Sequence, residues 1–192
     1  MRALLEDTLR LPLPFYARPA LEVAPELLGK LLVLEEGGGR RAARIVEVEA
    51  YVGAHDLACH ASKGRTQRTE VLFGPPGRAY VFLIYGMHCC FNVVTDADGV
   101  AAAVLVRGAE PVEGIEPGAR TDGPGKLCRA MGLTLAHNRM DLVTSSLYLE
   151  DAPPLPRAKI SRGPRIGVDY AGAWAKKPYR FWEKGNPFVS RG

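Results

Sequence analysis

The chain lacks the sequence features that mark several large classes of protein. Its four cysteines, Cys59, Cys89, Cys90 and Cys128, form no CxxC pair, and an adjacent pair suits a disulfide framework poorly. No apolar run approaches the roughly 20 residues of a membrane helix, and the N-terminus, with its acids and prolines, does not have the pattern of a signal peptide. We therefore expect a cytosolic or nuclear protein without a membrane partner, whose cysteines are small buried hydrophobic residues.

Motifs for several kinds of chemistry are also missing. There is no GxSxG, no P-loop and no dinucleotide fingerprint, so acyl transfer and nucleotide-driven chemistry find no support. The stretch "HDLACH" does contain the ligand types His55, Asp56, Cys59 and His60, but their spacing matches no well-attested zinc pattern. We predict no metal, and a zinc hydrolase built on His55, Cys59 and His60 stays a competing hypothesis.

Basic residues are unevenly distributed in a chain of 192 residues with a formal net charge of +4. From Arg157 to Gly192 there are nine basic residues and two acidic ones, and a second basic cluster, "SKGRTQR", contains Lys63, Arg65 and Arg68. A solvated face explains such clusters, but basic segments punctuated by glycine and proline also suit contacts with phosphates.

The pattern of turns and apolar residues predicts a single α+β domain with a mainly antiparallel sheet. "PALEVAPELLGKLL" predicts a short helix or two, with Pro25 at a position that a first turn would tolerate and Gly29 as the stop. "GPGKLCRAMGL" predicts another helix. We expect a hairpin in "LLVLEEGGGRRAARIVEVEAYV", three strands in "RAYVFLIYGMHCCFNVVTDADGVAAAVLVRG", and late strands in "RIGVDYAG" and "YRFWEKGNPFVS".

The strand "RIVEVEAYVG" has an unusual composition. Strict alternation would place Val46, Val48, Ala50 and Val52 on a core face, and Ile45, Glu47, Glu49 and Tyr51 on the other. A solvated face, or a glutamate paired with Arg44 or Arg107, would explain the carboxylates. Alternatively, Glu49 lies beside Tyr51 at the floor of an aromatic cleft, where a carboxylate can act as a general base on water.

The stretch "YVFLIYGMHCCFN" offers further aromatic side chains. Tyr80 and Phe82 share one side of a strand and could join Tyr51 in lining a pocket. Tyr85 stands immediately before Gly86 at the end of this strand. It is either packed into the core, or it is a wedge that enters a nucleic-acid base stack and is braced by Met87 and His88.

Together these motifs resemble the alkyladenine (3-methylpurine) DNA glycosylases. The resemblance rests on "RIVEVEAYVGAHDLACH", "YVFLIYGMHCCFNVV", "VLVRGAEPVEG", "GPGKLC", "RIGVDYAGAWAKKPYRFW" and "GNPFVS", and it extends from about Phe15 onward. It implies an enzyme of base-excision repair that cleaves the N-glycosidic bond of damaged purines and leaves an abasic site. The implied fold is one mixed domain over residues 1–192, with a curved sheet, a protruding hairpin, short peripheral helices and an N-terminal extension over residues 1–14.

The resemblance also implies a role for each matching residue. Glu49 falls on the catalytic carboxylate that activates water, and Arg107 on an arginine that positions both. The pocket residues are Tyr51, His60, Phe82 and Asn92, of which Asn92 disfavours guanine. Tyr85 falls on the residue that fills the gap left by the flipped nucleotide. Phe82 stands where the family usually has a tyrosine, and His88 replaces a common aromatic residue beside Tyr85.

The implied partner is double-stranded DNA containing damaged purines, bound by a monomer without metal or organic cofactor. Such an enzyme would be cytoplasmic and associated with the nucleoid in a bacterium, or nuclear in a eukaryote. Candidates for contacts with the DNA backbone are Lys63, Arg65, Arg68, Lys176 and Lys177. We expect Tyr51 and Phe82 to favour cationic alkylpurines through cation–π attraction, and Arg107 to lower the pKa of Glu49.

Residues 43–60 contain no lysine that could act as a Schiff-base nucleophile, so the sequence predicts a monofunctional glycosylase without lyase activity. A non-catalytic nucleic-acid-binding module of similar fold is the alternative. Such a module would need neither a carboxylate in a pocket nor a wedge.

Overall fold

Eight strands join in one antiparallel sheet at the centre of the computed structural model, which describes residues 9–191. The strands are β1 (Leu31–Glu36), β2 (Gly39–Tyr51), β3 (Ala79–Ile84), β4 (His88–Thr95), β5 (Ala102–Glu113), β6 (Leu147–Glu150), β7 (Ile160–Gly163) and β8 (Arg180–Glu183). Their order is β3-β4-β5-β2-β1-β6, and β8 pairs with both β2 and β7. The sheet curls into a half-barrel within one mixed domain, so the predicted fold class is confirmed.

The helices are short and peripheral. They are α1 (Leu13–Tyr16), α2 (Ala20–Leu27) and α3 (Pro124–Met131), with 3-10 turns at His60–Lys63, Glu70–Phe73, Leu135–His137, Arg157–Lys159 and Asp169–Lys176. Both predicted helices are confirmed, and Gly132 ends α3 in the left-handed region. The position predicted for Pro25 was wrong, because this residue lies inside α2 rather than in a first turn.

Most of the predicted strands are present. The β1–β2 hairpin turns at Gly37 and Gly38, which have φ angles of 59° and 77° that favour glycine. β3, β4 and β5 are the three strands expected in residues 78–108, and β5 continues to Glu113. The expectation of a strand in "RIGVDYAG" was wrong: its second half begins the 3-10 segment Asp169–Lys176, and Gly167 has a φ of 73°, in the left-handed region that strand residues do not adopt.

Strand β2 does not follow strict alternation, so the expected assignment of faces was wrong at Ile45. Register shifts against β5 flank Glu47, and they let Ile45 enter the same core cluster as Val48 and Ala50. Both faces of this strand are buried, since Glu47 and Glu49 have no exposed surface. The two carboxylates therefore lie inside the protein and not on a solvated face.

Part of the predicted N-terminal extension packs on the sheet. The backbone N–H of Leu11 donates to the carbonyl of Leu149 in β6 at 2.8 Å. Residues 1–8 of that extension lie outside the described residues. No helix within residues 9–191 is long and apolar enough to cross a membrane.

Candidate active site

Glu49 lies near the centre of the sheet, where β2 is flanked by β5 on one side and β8 on the other. Its Oε1 accepts the backbone N–H of Ile166 at 2.7 Å. Its Oε2 accepts the hydroxyl of Tyr51 at 2.9 Å and lies 3.4 Å from Nη1 of Arg107. A carboxylate has about four acceptor sites, and these three donors occupy most of them.

Arg107 reaches both carboxylates because of the irregularity in the sheet. It has no register partner on β2, since the pairing passes from Glu47↔Gly108 directly to Val48↔Val106. Its Nε lies 3.5 Å from Oε1 of Glu47, while its Nη1 faces Glu49. The bulge thus directs one buried guanidinium between two buried carboxylates.

Glu47 is a structural residue that the chain's last described segment holds in place. Its carboxylate accepts the backbone N–H of Ser190 at 2.7 Å and the Ser190 hydroxyl at 2.9 Å, and Arg180 lies 3.5 Å away. The segment approaches closely because Gly108 has no side chain: a Cβ there would lie 2.5 Å from the carbonyl oxygen of Phe188. A solvated Glu47, the other interpretation of its sequence, was wrong.

The environment of Glu49 makes it a stronger base than an exposed glutamate. Burial raises its pKa above the ordinary value, while Arg107, the Ile166 N–H and the Tyr51 hydroxyl each act to lower it. Arg107 therefore acts in the expected direction, but desolvation is the larger effect. Once ionised, such a carboxylate has a higher proton affinity and is better suited to deprotonating water.

The three partners of Glu49, which are Tyr51, Arg107 and Ile166, line a cleft, whereas Glu49 itself has no exposed surface. The cleft's volume of about 240 Å³ lies below the roughly 300–1,000 Å³ of sites for drug-sized ligands. The residues that line it include Tyr51, His60, Arg68, Tyr80, Phe82, Asn92, Arg107, Ile166, Val168 and Tyr170. The four predicted pocket residues are thus brought together, and the C-terminal segment Ile166–Tyr170 adds a wall that sequence reasoning did not identify.

His60 is held in the cleft by other aromatic residues. Its Nδ1 lies 2.9 Å from the Tyr80 hydroxyl, and its ring centroid lies 4.5 Å from that of Phe82. Burial, with a smaller effect of Arg68, lowers the pKa of His60 to about 4. The ring is therefore neutral at physiological pH.

Tyr51 is supported from below by a buried ion pair. Arg165 contacts Asp56 through two pairs of atoms, at 2.5 and 2.9 Å, and both side chains are fully buried. The same guanidinium lies 4.7 Å from the centroid of Tyr51. Sequence reasoning counted Arg165 only as one charge in the basic C-terminal segment; in the fold it is not available to a phosphate.

Phe82 also faces an arginine. The Cζ of Arg68 lies 5.1 Å from the Phe82 centroid. Both rings that were expected to attract a cationic purine thus already have a guanidinium of the protein beside them. At the floor of the cleft, the buried Asn92 donates from Nδ2 to the carbonyl of Tyr80 at 3.0 Å, which fixes its orientation.

The β3–β4 hairpin carries an exposed aromatic ring. Tyr85 is 86% exposed, so the alternative of a core-packed side chain was wrong. Its φ of 52° is uncommon for a bulky residue, and the N–H of Met87 closes the turn on the carbonyl of Ile84 at 3.2 Å. Met87 is 73% exposed. His88 packs at the base of the hairpin against Gly125 of α3, where an added Cβ on Gly125 would lie only 2.9 Å from the Cβ of His88.

The site thus combines a buried carboxylate, an aromatic cleft lined by its partners, and an exposed aromatic ring on the β3–β4 hairpin. Residues 14–187 match the family model described as methylpurine-DNA glycosylase. The chain belongs to this family. It is therefore a DNA glycosylase, a hydrolase of N-glycosyl bonds that has DNA as its substrate.

Relatives match this glycosylase over almost its whole length. One from Myxococcus xanthus is 68% identical over 182 residues, covering 95% of this chain and 94% of the relative. One from Methanocella arvoryzae is 55% identical, covering 94% and 96%, and one from Legionella pneumophila (strain Corby) is 50% identical, covering 95% and 98%. Each bears the name "Putative 3-methyladenine DNA glycosylase".

The predicted backbone-contact residues of the glycosylase differ in their surroundings. Lys63, Arg65 and Lys176 are exposed. Lys177 is half-buried, with its Nζ 3.9 Å from the ring centroid of Trp174. Arg68 is exposed but lies against the cleft.

The ligand types of "HDLACH" do not converge. The ring of His55 contacts Trp174, Asp56 binds Arg165, and the buried Cys59 thiol donates to the carbonyl of Ala101 at 3.7 Å. Among residues 9–191, no three His, Cys, Asp or Glu side chains are grouped so that they could hold a metal ion.

Proposed function

We propose that this glycosylase flips alkylated or deaminated purines out of double-stranded DNA and hydrolyses their N-glycosidic bonds with a water activated by Glu49. The substrates are 3-methyladenine, the base in the relatives' names, together with 7-methylguanine, hypoxanthine and ethenoadenine. The observation that carries the proposal is the fully buried Glu49, whose hydrogen-bond partners Tyr51, Arg107 and Ile166 line an aromatic cleft.

Glu49 has two tasks in this reaction. Departure of the base leaves an oxocarbenium-like sugar, and a nearby carboxylate stabilises this cation. The same carboxylate accepts a proton from the attacking water. Arg107 orients Glu49 and the water, because its guanidinium is itself fixed between Glu47 and Glu49.

The other residues select and hold the flipped nucleotide. Tyr51, His60 and Phe82 stack on the base, and Asn92 disfavours guanine through its exocyclic amino group. Tyr85 enters the base stack and occupies the gap, which offsets the few kcal/mol that flipping requires. Met87 and His88 support the hairpin, and Lys63, Arg65, Lys176 and Lys177 hold phosphates.

The enzyme acts as a monofunctional monomer. Within the described chain no lysine lines the cleft, which supports hydrolysis without a Schiff-base intermediate. Borohydride trapping tests this point: we expect no covalent protein–DNA adduct, and a trapped adduct would contradict the monofunctional mechanism.

The function is tested with duplexes that each carry one damaged purine, assayed for free base at physiological salt. We expect base release from at least one lesion, with strand cleavage only after alkali. A protein that binds these duplexes but releases no base would instead be the non-catalytic binding module.

A further inference from the structure

Arg68 is a charged residue that lines the cleft and has no role in the proposed reaction. It follows the 3-10 turn His60–Lys63, and its guanidinium is turned toward the cleft, 5.1 Å from the Phe82 centroid, with Nη2 donating to the carbonyl of Leu83 at 3.5 Å. A residue that only held a phosphate would not need to contact the wall of the base pocket.

The other arginines near the cleft are neutralised by acids. Arg107 lies between Glu47 and Glu49, and Arg165 binds Asp56. Within residues 9–191, no Asp or Glu oxygen lies within ion-pair distance of Arg68, whose guanidinium therefore contributes an uncompensated positive charge to the cleft.

The pKa of His60 indicates how the positive charge of Arg68 affects an aromatic ring in the cleft. A protonated imidazole is a flat aromatic cation, as an N-alkylated purine is. Its formation is disfavoured first by burial and then by Arg68, which lower the pKa of His60 to about 4. Arg68 therefore opposes a second positive charge on an aromatic ring in this space.

The direction of electron flow makes the effect depend on the substrate. When the N-glycosidic bond breaks, both of its electrons go to the base. A neutral purine such as hypoxanthine becomes negative, while a cationic purine such as 7-methylguanine becomes neutral. A positive charge beside the base therefore stabilises the transition state of the neutral substrate, and it disfavours binding of the cationic one.

We propose that Arg68 is a specificity-determining residue that shifts the preference of this glycosylase toward neutral damaged purines and away from cationic ones. The inference rests on the proposed function, because it concerns the same cleft and the same bond cleavage. The cation–π attraction expected at Tyr51 and Phe82 is then not the main source of selectivity, since each ring already faces a guanidinium.

The test compares kcat/KM for a hypoxanthine duplex with kcat/KM for a 7-methylguanine duplex in the wild type and in Arg68→Gln. Taking the change in this ratio cancels the intrinsic reactivity of each lesion. We expect the ratio to fall by roughly fivefold or more, the factor for two unit charges a few ångström apart in a water-like dielectric. Arg68→Lys keeps the charge and is expected to retain most of the preference.

Arg65→Gln is the matched control. Arg65 also lies 5.1 Å from a phenylalanine centroid, that of Phe73, but it does not line the cleft. We expect this variant to leave the ratio unchanged, whatever its effect on the overall rate.

Two results would overturn the role of Arg68. One is an equal loss on all lesions in Arg68→Gln, with the salt dependence of binding reduced by about one ion, which would make Arg68 a phosphate contact. The other is the same change of ratio in Arg65→Gln. Failure of the proposed function is distinct, because the wild type would then release neither base.

Discussion

Nη1 of Arg107 lies 3.4 Å from Oε2 of Glu49, and both side chains are buried. Two carboxylates share this guanidinium, because Nε of Arg107 also lies 3.5 Å from Oε1 of Glu47. Glu49 therefore receives only part of one positive charge, and burial raises its pKa in spite of the arginine. Desolvation is the larger effect on this pKa, and the charges of Arg107 and Glu47 adjust the pH range in which Glu49 is ionised.

Replacing Arg107 should move the acid limb of the pH–rate profile upward. Glu49 acts when ionised, so activity falls as the pH drops through its pKa. Because Arg107 lowers this pKa, Arg107→Gln raises it further, and the limb shifts to higher pH. We also expect a loss of roughly 10²-fold at neutral pH from poorer positioning. The measurement is kcat/KM against pH on one lesion duplex.

Glu47→Gln is the matched variant, and we expect it to shift the acid limb of the pH–rate profile in the opposite direction. The charge of Glu47 raises the pKa of Glu49, so its removal should move the acid limb to lower pH. If both variants lower the maximum rate but leave the acid limb of the pH–rate profile at the same pH, the charges of Arg107 and Glu47 do not control the pKa of Glu49. That result would contradict the proposed electrostatics of the site.

Replacing Tyr85 should separate activity from stability. Tyr85→Asn removes the exposed ring but tolerates the left-handed backbone, so the free energy of unfolding should stay equal or rise by up to about 1 kcal/mol. Base release should fall roughly 5- to 100-fold through lost stacking. Urea unfolding and single-turnover assays measure the two effects. Val112→Asn, at a 56% exposed apolar residue of β5, is the control, and an equal loss of activity there would argue against a wedge.

The ion pair below Tyr51 should be essential to stability. Arg165→Met or Asp56→Asn leaves an uncompensated buried group, and we expect each to lower the free energy of unfolding by about 3–5 kcal/mol in urea titrations. Arg162→Met, at an exposed arginine, should change it by less than about 0.5 kcal/mol. The combination Asp56→Leu with Arg165→Met should recover part of the loss, and a single-variant loss below about 1 kcal/mol would show that the pair is not required.

Local patterns were sufficient to predict much of the fold. Glycine turns located the β1–β2 and β3–β4 hairpins, and apolar alternation located β3 to β5. Glu49 and Tyr51, two residues apart on one strand, were predicted to share a site, and their side chains are hydrogen-bonded. Patterns within a few residues carry such information because turns and strand faces are determined locally.

Contacts between distant segments could not be predicted in this way. Asp56 and Arg165 are 109 residues apart, and Glu47 and Ser190 are 143 apart. The bulge beside Glu47 depends on how β5 pairs with β2, and no pattern within β2 alone reveals it. For the same reason, the sequence did not predict that the Arg68 guanidinium lies 5.1 Å from the Phe82 centroid; its contact with the DNA backbone stays a prediction.

The central claim is that ionised Glu49 performs the chemical step. The most direct test is the single-turnover rate of base release by Glu49→Gln, with duplex affinity measured on the same protein. We predict a loss of at least roughly 10²–10⁴-fold in rate, while the Kd for the lesion duplex changes by no more than about threefold. Glu110→Gln, whose carboxylate pairs with Arg44 outside the cleft, should keep its rate. A Glu49→Gln enzyme that releases base within about tenfold of the wild-type rate would contradict the mechanism.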